Sequence, residues 1–251
     1  MNIMIKVTVT ILVTILSSTT LANDPYFQKG LNAYHSQDGK TASKYWKKAA
    51  RRDNVTAMYS LGLLYEQGNL VKQDLDEAQK WFTKAAKEGA PEAQYRLAKI
   101  YAYQGEFDNA AKWYKRSARS GDAKAQFELA LLYEEGKGID KDPEEALYLI
   151  TEAAEGNFSP AQFKLVLMYM KGTGVEKNNQ KAFHWAKIAS AAGDADAKFL
   201  LGYMYFSGTG TVQSDEMATL WLEEALTEGQ AKAQVLLDEL AERNKQALSS
   251  L

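Results

Sequence analysis

Cysteine is absent from all 251 residues. With it go disulfide scaffolds, cysteine-ligated zinc, iron–sulfur clusters and thiol nucleophiles. Only two histidines occur, His35 and His184, too few and too far apart in sequence for a histidine-based metal centre. An excess of one charge is missing too, since 30 Lys and Arg stand against 32 Asp and Glu, and the overall balance gives no electrostatic reason to expect nucleic acid. The serine-enzyme signatures Ser-x-x-Lys and Gly-x-Ser-x-Gly do not occur. Sustained alternation with period two, the mark of half-buried strands, is nowhere found. What remains is a chain of ordinary globular composition, 46% apolar and 25% charged, which excludes wholesale disorder.

Residues 1–22 stand apart from the rest. Lys6 is followed by the apolar run Val7 to Leu16, and small residues then fall at Thr20 and Ala22. A run of ten residues is short of the about 20 that span a bilayer. The pattern predicts a signal peptide cleaved after Ala22 and a periplasmic or secreted mature chain with no stable membrane insertion. Without cysteine, a lipoprotein anchor is excluded.

Internal repetition dominates the remainder of the chain. The segments AMYSLGLLY from Ala57, AQYRLAKIY from Ala93, AQFELALLY from Ala125, AQFKLVLMY from Ala161 and AKFLLGYMY from Ala197 align, and AQVLLDELA from Ala233 is a weaker sixth. Their offsets are 36, 32, 36, 36 and 36. A second series opens at Ala78, Ala110, Ala146, Ala182 and Ala218, offset by 32, 36, 36 and 36. In the first series Ala57, Leu61 and Tyr65 recur at i, i+4 and i+8, one face of a helix. The small residue after each Leu (Gly62, Ala98, Ala130, Gly202) allows close helix approach; Val166 breaks that rule.

Turn chemistry agrees with paired helices. Gly68, Gly136, Gly172 and Gly208 each follow a Tyr by three residues, where a left-handed residue ends a helix. Asp38, Asp74, Asp142, Asn178 and Ser214 stand at N-cap positions of the second helices, with Glu77 and Glu145 placed for capping boxes. Gly89, Gly121, Gly156, Gly193 and Gly229 close the second helices. The Gly-x-Gly turns have neither the preceding strand nor the Gly-Lys-Ser/Thr of phosphate loops, and are read as structural.

These units resemble Sel-1-like repeats, the longer-looped relatives of tetratricopeptide repeats, on the pattern A-x-x-x-L-G-x-x-Y-x-x-G-x-G followed by A-x-x-W-x-x-x-A-A. The likeness covers five units over residues 53–229. The unit from Ala93 lacks the long turn. A degenerate tetratricopeptide-like unit occupies residues 23–52, carried by Tyr26, Gly30, Ala33, Ala42, Trp46 and Ala49, and residues 230–251 read as a capping helix and tail. The resemblance implies an all-α, right-handed superhelical solenoid of antiparallel helix pairs, with first helices lining a concave face. It also implies an envelope or host-interaction role. A cysteine-rich group of the family is linked to β-lactam binding or hydrolysis, and the lack of cysteine keeps that assignment from this chain.

Binding residues are sought where the repeat leaves positions free. Tyr59, Tyr95, Phe127, Phe163 and Phe199 form a regular aromatic stripe, which serves either stacking between units or a partner. On the same helices Leu167, Met170, Tyr203 and Phe206 make the late units apolar, the profile of a peptide-binding groove unless the C-terminal cap covers them. Lys44, Lys47, Lys48, Arg51 and Arg52 make the first hairpin basic, either to suit helix C-termini or to meet an anionic cell-wall or protein partner. Adjacent carboxylates such as Glu134–Glu135, Glu144–Glu145 and Glu223–Glu224 project to different sides of a helix and read as solvated faces. The expectation is a non-enzymatic scaffold or adaptor with a protein or peptide partner, no cofactor, no metal and no nucleic acid. A cell-wall or β-lactam-directed protein and a secreted virulence factor are the alternatives.

Overall fold

A computed structural model describes residues 24–249. The export signal expected at residues 1–22 lies outside them. Thirteen helices and no strand are found among the described residues. They are α1 (Pro25–His35), α2 (Gly39–Ala50), α3 (Val55–Gln67), α4 (Leu75–Lys87), α5 (Pro91–Tyr103) and α6 (Phe107–Ala118). After these come α7 (Ala123–Glu135), α8 (Pro143–Glu155), α9 (Ser159–Lys171), α10 (Asn179–Ala191), α11 (Ala195–Ser207), α12 (Asp215–Thr227) and α13 (Ala233–Ser249). The chain divides into two compact units at Ser120 and Gly121, the first holding α1–α6 and the second α7–α13. Within each unit every helix packs on the next in sequence, more extensively inside a hairpin than between hairpins. This is the solenoid order of an all-α repeat fold. Among the described residues no helix is long and apolar enough to cross a membrane.

Local signals act where the sequence places them. The Asp38 carboxylate accepts from the Thr41 amide at 2.9 Å, Asp74 from Glu77 at 2.9 Å, Asn178 from Lys181 at 2.9 Å and Ser214 from Met217 at 3.2 Å. Asp142 accepts from both Glu144 and Glu145. Each such bond satisfies an amide that the first turn leaves without a partner. Gly68, Gly136, Gly172 and Gly208 are all left-handed, at φ +65°, +67°, +73° and +70°. The third α-hairpin turns within three residues after Tyr103, as the missing long turn of that unit requires. One expected terminator differs. Gly156 caps α8 with φ −72°, and Asn157 takes the left-handed conformation at φ 60° instead, a geometry that Asn tolerates better than most side chains.

The core is built from a repeated contact between a small residue on the first helix and a large one on the second. A Cβ added at Gly62 would lie 2.5 Å from the Phe82 ring, and one at Gly202 would lie 2.7 Å from Leu222 Cγ. Gly30 is likewise filled by the Trp46 indole. Ala98 and Tyr114, then Ala130 and Ile150, occupy the same two repeat positions and are fully or almost fully buried. The fifth hairpin inverts the pair. Val166 takes the small residue's place, Ala186 takes the large one's, and both are 0% exposed within one cluster. The apparent exception in the first-helix ladder is therefore compensated on the second helix, so that close packing survives.

Between hairpins a different device recurs. Gln94 donates through Nε2 to the Ala86 carbonyl at 3.2 Å, and Gln162 to the Ala154 carbonyl at 3.1 Å. Both glutamines follow the first-helix alanine by one residue and reach the last turn of the preceding hairpin. At the matching position Lys198 turns instead to α12, with Nζ 3.0 Å from Glu224 and 2.5 Å from Glu228.

Gly62→Ala should destabilise the fold by about 1–3 kcal/mol through overpacking against Phe82, read from the midpoint and slope of urea unfolding. Ala186→Phe should cost a similar amount alone, and combining it with Val166→Gly should show a favourable coupling of about 0.5–3 kcal/mol in a double-mutant cycle.

Candidate functional site

The recurring Ala, Leu and Tyr positions are committed to packing. Ala57, Leu61, Ala93, Leu97, Ala161, Leu165, Ala197 and Leu201 are at most 1% exposed. The surface is therefore set by positions that differ between hairpins, and two regions stand out.

The first is the late-unit face. Leu167 is half-buried on α9. Met170, on the same helix, packs against the cluster of Val166, Ala186 and Met204. Tyr203 on α11 is 37% exposed. Phe206 packs against Leu222 and Leu240 in the neighbouring cluster, and the Arg243 guanidinium of α13 lies 4.3 Å from its ring centroid. Arg243 is held there by Asp215, 2.8 Å away. Met170 and Phe206 thus pack against two different clusters, with Tyr203 the most open of the four and Phe206 reached by the last helix.

The aromatic stripe is half-buried throughout. Tyr59 lies 5.7 Å from the Phe82 ring, Tyr95 lies 6.0 Å from Tyr114, and Phe127 makes an edge contact with Phe158 at 5.5 Å. Phe199 packs against the α12–α13 cluster, and Phe163 is half-buried on α9. Burial raises the Tyr59 phenol above its ordinary pKa, since the charged form is disfavoured away from water.

The second region is a groove of about 810 Å³ between α2 and the long turn that joins α3 to α4. Six cations line it: Lys40, Lys44, Lys47, Lys48, Arg51 and Lys72. The turn is seated on the start of α2, because a Cβ at Gly39 would collide with Leu70. Ser43 and Tyr65 share a hydrogen bond of 3.1 Å on the floor, and the Lys47 ammonium lies 5.3 Å from the Tyr65 ring centroid. Lys44, Lys47, Lys48 and Arg51 belong to the basic set expected from the sequence; Lys40 and Lys72 do not. A signal for Lys40 exists: the matching positions of later hairpins hold Asp76, Asp108, Glu144, Gln180 and Glu216. Arg52, also expected in the basic set, turns away to Asp24 at 3.5 Å.

The other chemical candidates are dispersed. His35 is exposed beside Tyr34, and His184 is exposed at the edge of Trp185, ring centroids 5.7 Å apart. Adjacent carboxylates diverge, Glu134 pairing with Lys164 at 2.8 Å and Glu135 with Lys137 at 2.5 Å. Among the described residues no group of three or more His, Asp or Glu side chains is placed to hold a metal ion.

A family profile described as Sel1 repeat matches six stretches, residues 26–54, 55–89, 91–122, 123–158, 159–194 and 195–230. The crystal structure of a Sel1 repeat protein from Oxalobacter formigenes is 30% identical, covers 82% of this chain and 86% of that one, and superposes with a TM-score of 0.74. A protective antigen present in uropathogenic Escherichia coli strains, displaying an SLR fold, is 26% identical over 87% of this chain and 49% of its own, with a TM-score of 0.82. Chitin synthase regulatory factor 3 of Schizosaccharomyces pombe is 34% identical over 72 residues, 29% of this chain and 8% of that protein. The chain spans about half the length of the antigen and a small part of the regulatory factor. Stacked repeats of this type generally act as protein–protein interaction scaffolds and are typically non-catalytic. With matched repeats running almost without a break from residue 26 to residue 230, the chain belongs to the Sel1 repeat family.

Proposed function

We propose that this chain is an exported, non-enzymatic scaffold that binds a peptide segment or subunit of a partner protein on the first-helix face of its late hairpins, the concave side expected of such a stack. One observation carries the reading: repeat-defining side chains are withdrawn into packing, while Tyr203, at a position that varies between hairpins, remains 37% exposed. An open aromatic suits an apolar side chain of a docked segment. Export rests on Lys6, the Val7–Leu16 run and the small residues before the expected cleavage after Ala22. The likeness to a protective antigen supports a chain met outside the producing cell, and it favours host interaction as the second reading.

A photo-crosslinking residue at position 203 of the exported chain should capture a discrete partner, and one at Tyr148, an exposed tyrosine on α8, should not. Tyr203→Ala should then weaken binding of that partner by about 5- to 30-fold, the loss of one aromatic anchor, with unfolding unchanged. Equal capture from both positions would remove the site. N-terminal sequencing of the exported chain should begin at Asn23. Hydrolysis of a chromogenic β-lactam by the purified chain would move the assignment to the enzyme reading.

A further inference from the structure

The α2 groove takes no part in binding at the late hairpins, and its charge is out of keeping with the rest of the chain. Residues 24–120 carry 17 basic and 11 acidic side chains, whereas residues 121–249 carry 12 and 21. Some cations elsewhere are paired across helices: Arg96 with Glu66 at 3.1 Å, Lys164 with Glu134 and Lys198 with two glutamates. Among the described residues, none of the six groove cations forms an ion pair.

The helix itself opposes this arrangement. Lys40, Lys44 and Lys48 follow at i, i+4 and i+8, and Lys47 and Arg51 at i+7 and i+11, so like charges face one another along one side. The dipole of α2 favours Lys47, Lys48 and Arg51 near its C-terminus but disfavours Lys40 and Lys44 in the first turns. Four of the five later hairpins put an acid at the Lys40 position, and the fifth has Gln180. Helix stability therefore accounts for part of the cluster and is worked against by the rest.

We propose that the groove binds an extended acidic segment of a partner protein. The spacing supports a peptide. Four residues of helix advance about 6 Å, and alternate side chains of an extended strand are about 6.6–6.8 Å apart. Carboxylates on every second residue then meet Lys40, Lys44 and Lys47–Lys48 in turn, and Arg51 lies roughly 16 Å from Lys40 along the axis. A single phosphate would reach only a fraction of that row. Nucleic acid bound as a single strand would call for open aromatic faces on which bases stack; the one aromatic of the groove, Tyr65, is half-buried beneath Lys47 with its hydroxyl at Ser43. Val71, Lys72, Gln73 and Asp74 on the facing turn provide the opposite wall, and the Asp74 carboxylate is engaged in capping α4 through the Glu77 amide. The volume is within the about 300–1,000 Å³ of ligand clefts.

The test uses the full chain and two fluorescein-labelled peptides of twelve residues with six Glu and six Ser each, one alternating and one in two blocks. By fluorescence anisotropy the alternating peptide should bind at least about tenfold more tightly than the blocked one. Lys40→Glu with Lys44→Glu should weaken it by about tenfold or more, whereas Lys87→Glu with Lys112→Glu, an equal charge change away from the groove, should stay within about twofold. Lys40→Glu alone should raise Tm while lowering peptide affinity, the opposite of what a stabilising structural lysine would do. Equal binding of both peptides, or equal loss in both double variants, would reduce the groove to diffuse attraction and overturn the proposal. Tighter, Lys40-dependent binding of heparin would replace the peptide with a polysaccharide. Salt-sensitive self-association in analytical ultracentrifugation, abolished by Lys40→Glu with Lys44→Glu, would replace it with the acidic residues of a second copy.

Discussion

Each hairpin depends on one steric relation: where the first helix has little side chain, the second supplies a large one. Gly62 receives Phe82, Gly30 receives Trp46 and Gly202 receives Leu222, and these contacts let the two backbones come close. Hydrogen bonds within helices are satisfied locally, so they do not select one helix pairing over another. Interlocking volume does, because a void or a clash of one methylene is felt in a close-packed interior. The capping carboxylates and left-handed glycines then only have to deliver the chain to the right starting point for that fit.

The same relation explains why the surface carries whatever individuality the molecule has. Alanines and leucines of the repeat are sealed inside, and a glutamine from one hairpin reaches the last turn of the preceding one through Gln94 and Gln162. Variation is left to exposed positions, and there the hairpins diverge sharply. The late ones offer Tyr203 and Met170; the first offers a row of lysines that, among the described residues, form no ion pair. One scaffold thus presents an aromatic surface in one compact unit and a cationic groove in the other.

Most of the fold is legible in the chain because it repeats. Helix pairs, N-caps and long turns each give several independent readings of one pattern, and agreement among local signals is what a consistent fold provides. Two features escape it. Val166 looks like a break when the first-helix ladder stands without its partner, and only the structure sets Ala186 against it. Gly156 reads as the left-handed terminator because it is the glycine at hand, but it stands one residue before the position that matches Gly89, and Asn157 fills that position. The site is less legible, since exposure depends on distant neighbours. Arg243 reaches Phe206 from 37 residues away, and Lys72 joins the basic row from a turn whose seat on α2 no periodicity announces.

The inverted Val166–Ala186 pair has a bearing on how such chains can be rearranged. A gene crossover falling between hairpins joins modules whose two helices already fit. One falling inside a hairpin could set Gly202 against an alanine, leaving an empty space, or Val166 against a leucine, forcing a clash. The unit that can be duplicated or shuffled without penalty is therefore the matched pair of helices, and recombination breakpoints in related genes should avoid the long glycine turn.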